Sequence, residues 1–387
     1  MRGDFISDGL NAKQGSAAGN WRAYGLVLAL VGVWIIFTIV TDGVFLEPRN
    51  FSNLMRQTAV TGILAVGMVM VILAGQIDLS VGSLVGITGM AAVLVQTSLH
   101  WGLWPSLFAG IAVGALIGAL QGALTAYAGI PAFIVTLGGL LAWRGATKGI
   151  SAGNTYPVEI RMFKSIGQSY LSPTTGTVLL ALGIAAFSVL VLQRNRSRRQ
   201  HGLSAWNAAG LALRILLPSA IAAAFVWAFN RYAGIPIPVL ILIVVALAGT
   251  FVTKNTTYGR YLHAIGGNPE AARLSGINLP LNIMLSFCVL GALAGVAGII
   301  YTARVGAAGP DAGTLLELDA IAACVIGGAS LMGGRGTVIG ACLGALFMAS
   351  LDNGMSLKNV PDFIQDIVKG SVLVAAVGLD IWGRRRR

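Results

Sequence analysis

Residues 103 to 127 read LWPSLFAGIAVGALIGALQGALTAY, 25 positions with no charged side chain and with glycine at 110, 114, 118 and 122. A helix of about 20 apolar residues crosses the roughly 30 Å of hydrocarbon in a bilayer, so this stretch reads as a membrane span. Glycine at every fourth position lines one helix face. Lipid gives helices no hydrophobic reason to associate, and a glycine face lets two backbones approach and gain dispersion contacts instead. Gly82 and Gly86, Gly291 and Gly295, and Gly336, Gly340 and Gly344 repeat the spacing. Packing inside one chain and packing between subunits both fit these faces.

Working outward, comparable runs fill the 387 residues, 56% of which are hydrophobic and only 10% charged, with a mean hydropathy of +0.80. That excludes a water-soluble globular domain. An outer-membrane barrel would alternate apolar and polar residues in segments of about ten, and these runs are continuous. The fold class is all-α, a polytopic helical bundle. Twelve apolar segments are candidates: 24–41, 59–75, 79–97, 103–127, 131–146, 176–193, 211–230, 238–253, 282–302, 317–333, 337–351 and 364–382. If two shorter ones, such as 131–146 and 337–351, are half-helices that turn back, about ten true spans remain, which is the preferred count.

Both counts place the termini and the loops 194–213 and 254–281 on one side. That side carries Arg2, Lys13, Arg22, Arg194, Arg196, Arg198, Arg199, Arg214, Lys254, Arg260, Arg273, Arg335 and Arg384 to Arg387, sixteen of the 26 Lys and Arg. Cytoplasmic loops are enriched in such residues, so both termini are expected inside. Residues 1–23 form a polar cytoplasmic segment in place of a signal peptide, 24–382 one transmembrane domain, and 383–387 a basic tail. The net charge of +12 follows from this topology, since the basic residues are spread over loops and not gathered into a nucleic-acid-binding face. A weaker regularity is an ungapped echo of residues 71–91 in 325–345, where Val71, Ile72, Gly82, Gly86 and Ala91 meet Val325, Ile326, Gly336, Gly340 and Ala345. A structural repeat and a chance match between apolar sequences both account for it.

No G-x-x-x-x-G-K-[ST] phosphate loop is present. The glycine-rich stretch Gly327 to Gly336 lacks the lysine and lies between two apolar runs, where it reads as a helix break. Cys288, Cys324 and Cys342 sit inside apolar segments as small hydrophobes, and His100, His201 and His263 lack metal-ligand spacing. No enzyme site, metal site or cofactor site is inferred.

Two polar places stand out. Gln76, Asp78 and Ser80 interrupt an otherwise apolar region; Asp78 reads either as the N-cap of a helix starting at Leu79 or as part of a solute path. In the loop GGNPEAARLSGI (266–277), Asn268 is a favoured N-cap, Pro269 a favoured first residue and Gly276 a favoured terminator of a helix of about two turns. So short a helix needs its apolar face, Ala271, Leu274 and Ile277, to be buried by this chain or by a cytoplasmic partner. Glu317 and Asp319 open an apolar run, and Asp352, Asn353, Asp366 and Lys369 read as a solvated outer rim.

Four stretches together resemble the permease subunits of bacterial ABC importers for monosaccharides, the ribose, arabinose, galactose and xylose group: Thr61 to Gly82 (TGILAVGMVMVILAGQIDLSVG), Gly129 to Gly138 (GIPAFIVTLG), Ala264 to Ile277 (AIGGNPEAARLSGI) and Glu317 to Gly340 (ELDAIAACVIGGASLMGGRGTVIG). The likeness runs from about Asn50 to Lys369. Gln193 to His201 and Ser350 to Ser356 are most similar to the D-xylose branch of that family. The resemblance implies two copies of this chain in the inner membrane, two cytoplasmic ATPase subunits that hold ATP and Mg, and a periplasmic sugar-binding protein. It implies alternating access, with Glu270, Ala271, Ala272, Arg273, Leu274, Ser275, Gly276 and Ile277 as the ATPase-coupling segment. The alternatives are a permease for another pentose or hexose, an ion-coupled secondary carrier using Asp78, and a passive channel or scaffold.

Overall fold

The computed structural model describes residues 25–385; the expected cytoplasmic segment 1–23 and the last residues of the basic tail lie outside the described residues. Each of the twelve apolar segments contains a helix. In chain order the helices are α1 (Gly25–Val40), α2 (Pro48–Leu73), α3 (Val81–Thr97), α4 (Leu103–Ala126), α5 (Ala132–Ser151), α6 (Arg161–Gln168), α7 (Pro173–Gln200), α8 (Ala208–Asn230), α9 (Ile237–Asn255), α10 (Thr257–Gly267), α11 (Pro269–Leu274), α12 (Leu279–Val305), α13 (Leu316–Ile326), α14 (Val338–Leu357) and α15 (Asp362–Arg385). Among the described residues, α2, α4, α7, α8, α9, α12 and α14 are long and apolar enough to cross a membrane, and α1 and α3 are shorter apolar helices.

The segments singled out as half-helices, 131–146 and 337–351, belong instead to the unbroken 20-residue helices α5 and α14. The short helix is α13, with 11 residues, because the chain leaves the helical path at the glycine pair Gly327–Gly328 and resumes only at Val338. Hydropathy alone does not separate an apolar helix from apolar coil. The glycine-rich stretch expected to break a helix does so.

α2 lies at the centre, with buried residues from Phe51 to Leu73 around most of its circumference. Its inner end is the end shared with residues 255–278; the outer end holds two small strand pairs. There β1 (Tyr156–Pro157) pairs with β4 (Ala307–Ala308), and β2 (Tyr170–Leu171) with β3 (Ile235–Pro236). The second pair closes the base of the hairpin α7–α8, whose shafts are exposed along nearly all their length.

Every glycine face is used within the chain. A Cβ on Gly114 would run into the carbonyl of Gly291, one on Gly118 into that of Phe287, and one on Gly291 into that of Gly114, so α4 and α12 touch backbone to backbone. Gly82 and Gly86 of α3 face Glu317 and the 312–313 backbone, and Gly340 and Gly344 face Gly327 and Ala323. Packing inside one chain therefore accounts for the spacing. The echoed stretches both run helix, break, helix, with breaks at 74–80 and 327–337, and Gly334 N of the second break donates to Leu73 O, at the end of α2, at 3.0 Å.

At the outer end the rim reading is overturned in part. Lys369 of α15 reaches Asp319 of α13 at 3.5 Å and Asp352 of α14 at 3.2 Å, and its side chain is only 17% exposed. Asn353 is buried and exchanges two hydrogen bonds with Asn50, at 2.8 and 3.0 Å. Asp366 is exposed. The cation offsets the charge of two carboxylates that would be costly to leave alone at this depth.

Two outcomes follow. Gly291→Val should lower the thermal midpoint in detergent by an amount equivalent to about 1–3 kcal/mol or more, because a backbone wall yields less than a side chain; Gly138→Ala, where nothing lies within 4 Å, should be neutral or slightly stabilising. Lys369→Met should cost about 3 kcal/mol by stranding Asp319 and Asp352, and adding Asp319→Asn should recover part of that loss in the same thermal assay.

Candidate functional site

The loop between α9 and α12 folds as its residues dictate. Thr256 caps α10 by accepting from Gly259 N at 3.2 Å, and Leu262 and Ile265 bury its inner face. Asn268 Oδ1 accepts from Ala271 N at 3.0 Å and caps α11, with Pro269 in first position. The far end closes as a Schellman motif: Gly276 N donates to Arg273 O at 3.0 Å, Ile277 N to Ala272 O at 3.2 Å, and Gly276 takes φ +80°. Ala272 is buried in the main core and Ile277 packs against that core.

Of the expected apolar face, this chain covers Ile277 and leaves Ala271 and Leu274 open. Ala272 and Ile277 point inward, while Ala271 is exposed and Leu274 is 79% exposed. One turn of helix places positions 271 and 274 together, and the closing motif swings Ile277 away from them. Glu270 and Arg273 form an exposed ion pair at 2.9 Å beside Leu274. The result is a short helix fixed from behind and apolar at its tip.

Gly266, at the end of α10, is wedged between Leu73 O and Gly334 N and lies against Gly333, with no room for a Cβ. His263 Nδ1 donates to Gly334 O at 3.0 Å. The breaks after α2 and α13 are thus both held by the element that leads into α11.

Gln76, Asp78 and Ser80 do not form one exposed path. Asp78 and Ser80 are fully buried: Asp78 Oδ1 accepts from Ser80 N and Ser80 Oγ, each at 2.7 Å, and Ser80 Oγ is also bonded to Gln121 of α4 at 3.0 Å. Asp78 does not cap a helix at Leu79; α3 starts at Val81, and the aspartate instead folds over Ser80 N as an Asx turn. Gln121 was missed, and its one signal was a lone amide inside an uncharged span. Gln76 alone of the three lines an open space, a cavity of about 370 Å³ at the inner end beside Thr125, Pro131, Arg273 and Ile283.

A second cavity, of about 450 Å³, opens at the outer end between α2, α12, α13, α14 and α15. Gln57, Thr61, Tyr301, Asp319, Asp352, Gln365 and Lys369 line it. With Arg304, Asp362, Asp366 and Ser356 also in the wall, carboxylates, two cations, amides, hydroxyls and one aromatic ring give the cavity both donors and acceptors of hydrogen bonds. Gln57, Thr61 and Tyr301 carry no distinct sequence signal: Gln57 sits between Arg56 and Thr58 just ahead of an apolar run, Thr61 near the start of that run, and Tyr301 beside Thr302 at the end of another. Among the described residues, no group of three His, Cys, Asp or Glu is placed to hold a metal ion.

A family model described as the permease component of the branched-chain amino acid transport system matches residues 50–377. The xylose transport system permease protein XylH of Escherichia coli K12 is 47% identical over 368 residues, 95% of this chain and 93% of that protein. XylH of Haemophilus influenzae is 43% identical over 367 residues, covering 95% and 98%. The ribose import permease protein RbsC of Escherichia coli K12 is 35% identical over 355 residues, 92% of each. No solved structure matches the chain. The matched span takes in both cavities and the α10–α11 loop, so the helical bundle described above is that of a transport permease and not of an enzyme: the chain belongs to the family of branched-chain amino acid transport system permease components.

Proposed function

We propose that this chain is the membrane-spanning subunit of an ATP-binding-cassette importer in the inner membrane, carrying a monosaccharide, D-xylose, into the cytoplasm. The observation that carries this reading is α11, locked to the core through Ala272 and Ile277 while it presents Leu274 outward. A single exposed leucine on a rigid stub is a poor way to face water and a good way to enter a groove on another protein. The occupant in this reading is a cytoplasmic ATPase that binds ATP and Mg, with Glu270 to Ile277 as the contact. The identity to the xylose permeases over nearly the whole chain supports the sugar.

In this mechanism a sugar released by a periplasmic binding protein enters the outer cavity, where Asp352, Gln365 and Tyr301 offer weak, exchangeable contacts. ATPase closure moves α11 and α10. Gly266 then bears on Leu73 O and the 333–334 backbone, shifting the break below α13, and α13 carries Asp319 at the cavity wall. Two copies of the chain act together, and residues 24–382 work as one transport domain. The ion-coupled alternative rests on Asp78, whose carboxylate is enclosed and committed on one oxygen to Ser80.

Leu274→Asp should lower co-purification of the ATPase at least tenfold and abolish xylose uptake in a permease-deletion strain, while membrane levels stay normal. Undiminished co-purification would refute the coupling role. Uptake of ribose restored as well as xylose by the unaltered chain would refute the sugar assignment.

A further inference from the structure

The hairpin α7–α8 is built unlike the rest of the bundle. Its base is closed by the β2–β3 pair and by Phe51 of α2 against Phe225 and Phe229, all at the outer end. Towards the inner end its two helices pack on each other and expose leucines such as Leu190, Leu213 and Leu216, each more than 60% exposed. In a membrane protein the medium around such shafts is lipid, and their inner turn lies at the headgroups of the inner leaflet.

That turn is strongly and one-sidedly charged. Arg194, Arg196, Arg198, Arg199 and Arg214 gather there, while residues 160 to 269 contain no Asp or Glu at all. Among the described residues none of the five meets a carboxylate. The turn is also ordered. Arg198 donates through Nε and Nη2 to Ser204 O at 3.0 and 2.9 Å, Trp206 N donates to buried Asn195 Oδ1 at 2.9 Å, and the Trp206 ring lies under Arg214 at 4.2 Å and Arg198 at 5.4 Å. Arg194, Arg196, Arg199 and Arg214 remain exposed.

We infer that the α7–α8 turn is a binding site for the phosphate headgroup of an anionic phospholipid of the inner leaflet, held by Arg194, Arg199 and Arg214 with Trp206 at the interface. Guanidinium forks match phosphate oxygens in pairs, a tryptophan prefers the depth at which headgroup meets chain, and the flanking leucines accept the acyl tails. Anionic lipid supplies the charge that this part of the chain lacks, and tethers a hairpin that the bundle grips only at its other end. This inference does not depend on which solute is carried.

The test is native mass spectrometry of the full-length protein titrated with phosphatidylglycerol or phosphatidylcholine. Arg194→Gln/Arg214→Gln should weaken phosphatidylglycerol retention about 25-fold, at roughly fivefold per arginine, without changing phosphatidylcholine retention. Lys254→Gln/Arg260→Gln, which removes equal charge from the same face, should change neither. Equal losses in the two double variants would overturn the site in favour of general surface charge. Competition by equimolar inorganic phosphate would reassign it to a soluble anion. Unchanged lipid retention with a lost dimer mass, or with lost ATPase co-purification, would make the turn a protein interface and would also overturn the inference.

Discussion

Backbone that leaves the helical path inside a bundle must have its N–H and C=O groups satisfied by protein, because hydrocarbon offers no partner. This chain breaks its path twice at the inner end, after α2 and after α13, and closes both breaks on each other. Gly334 N finds Leu73 O, His263 finds Gly334 O, and Gly266 fills the gap as the one residue small enough to let three backbones meet. The positions of α11 and α13 both depend on that knot. The rest of the bundle reads as support for it: α2 at the centre, and α4 and α12 drawn together through Gly114 and Gly291.

Charge is placed with the same economy. The Glu270–Arg273 and Lys148–Asp311 pairs are exposed, whereas Lys369 is largely buried between Asp319 and Asp352 and so ties α13, α14 and α15 at the mouth of the larger cavity. A tie of this kind is weak evidence for stability, since its Coulomb gain is spent against desolvation, but it fixes which helices share a wall. The helix at one edge of the knot is thus the helix that offers a carboxylate to the cavity. α13 is thus short and held at both ends.

Much of this was legible in the sequence. The twelve apolar runs locate the helices, the glycine spacing marks the faces that touch, and Asn268, Pro269 and Gly276 bound α11 correctly because capping is local chemistry. What the sequence leaves open is non-local. The closing turn at Gly276 decides how much of the face Ala271, Leu274 and Ile277 this chain covers: it turns Ile277 inward and leaves the other two exposed. The half-helix was assigned to 131–146 and 337–351 because hydropathy is blind to whether an apolar stretch is wound. The outer cavity is not legible because its walls come from five helices distant in sequence: α15 places Asp362, Gln365, Asp366 and Lys369 on one face, and Asp319 and Asp352 meet them only once α13 and α14 are packed. The burial of Asp78 and Ser80 against Gln121 depends on α4 lying beside them, which no local pattern states.

The central claim is that Gly266 carries motion from α11 to the break below α13. The most direct measurement is ATP hydrolysis and xylose uptake by the reconstituted complex carrying Gly266→Ala, with ATPase co-purification measured on the same preparation. The account predicts that the ATPase stays bound and hydrolyses ATP while uptake falls at least tenfold. Uptake equal to that of the unaltered chain, or loss of uptake only through loss of the ATPase, would contradict it.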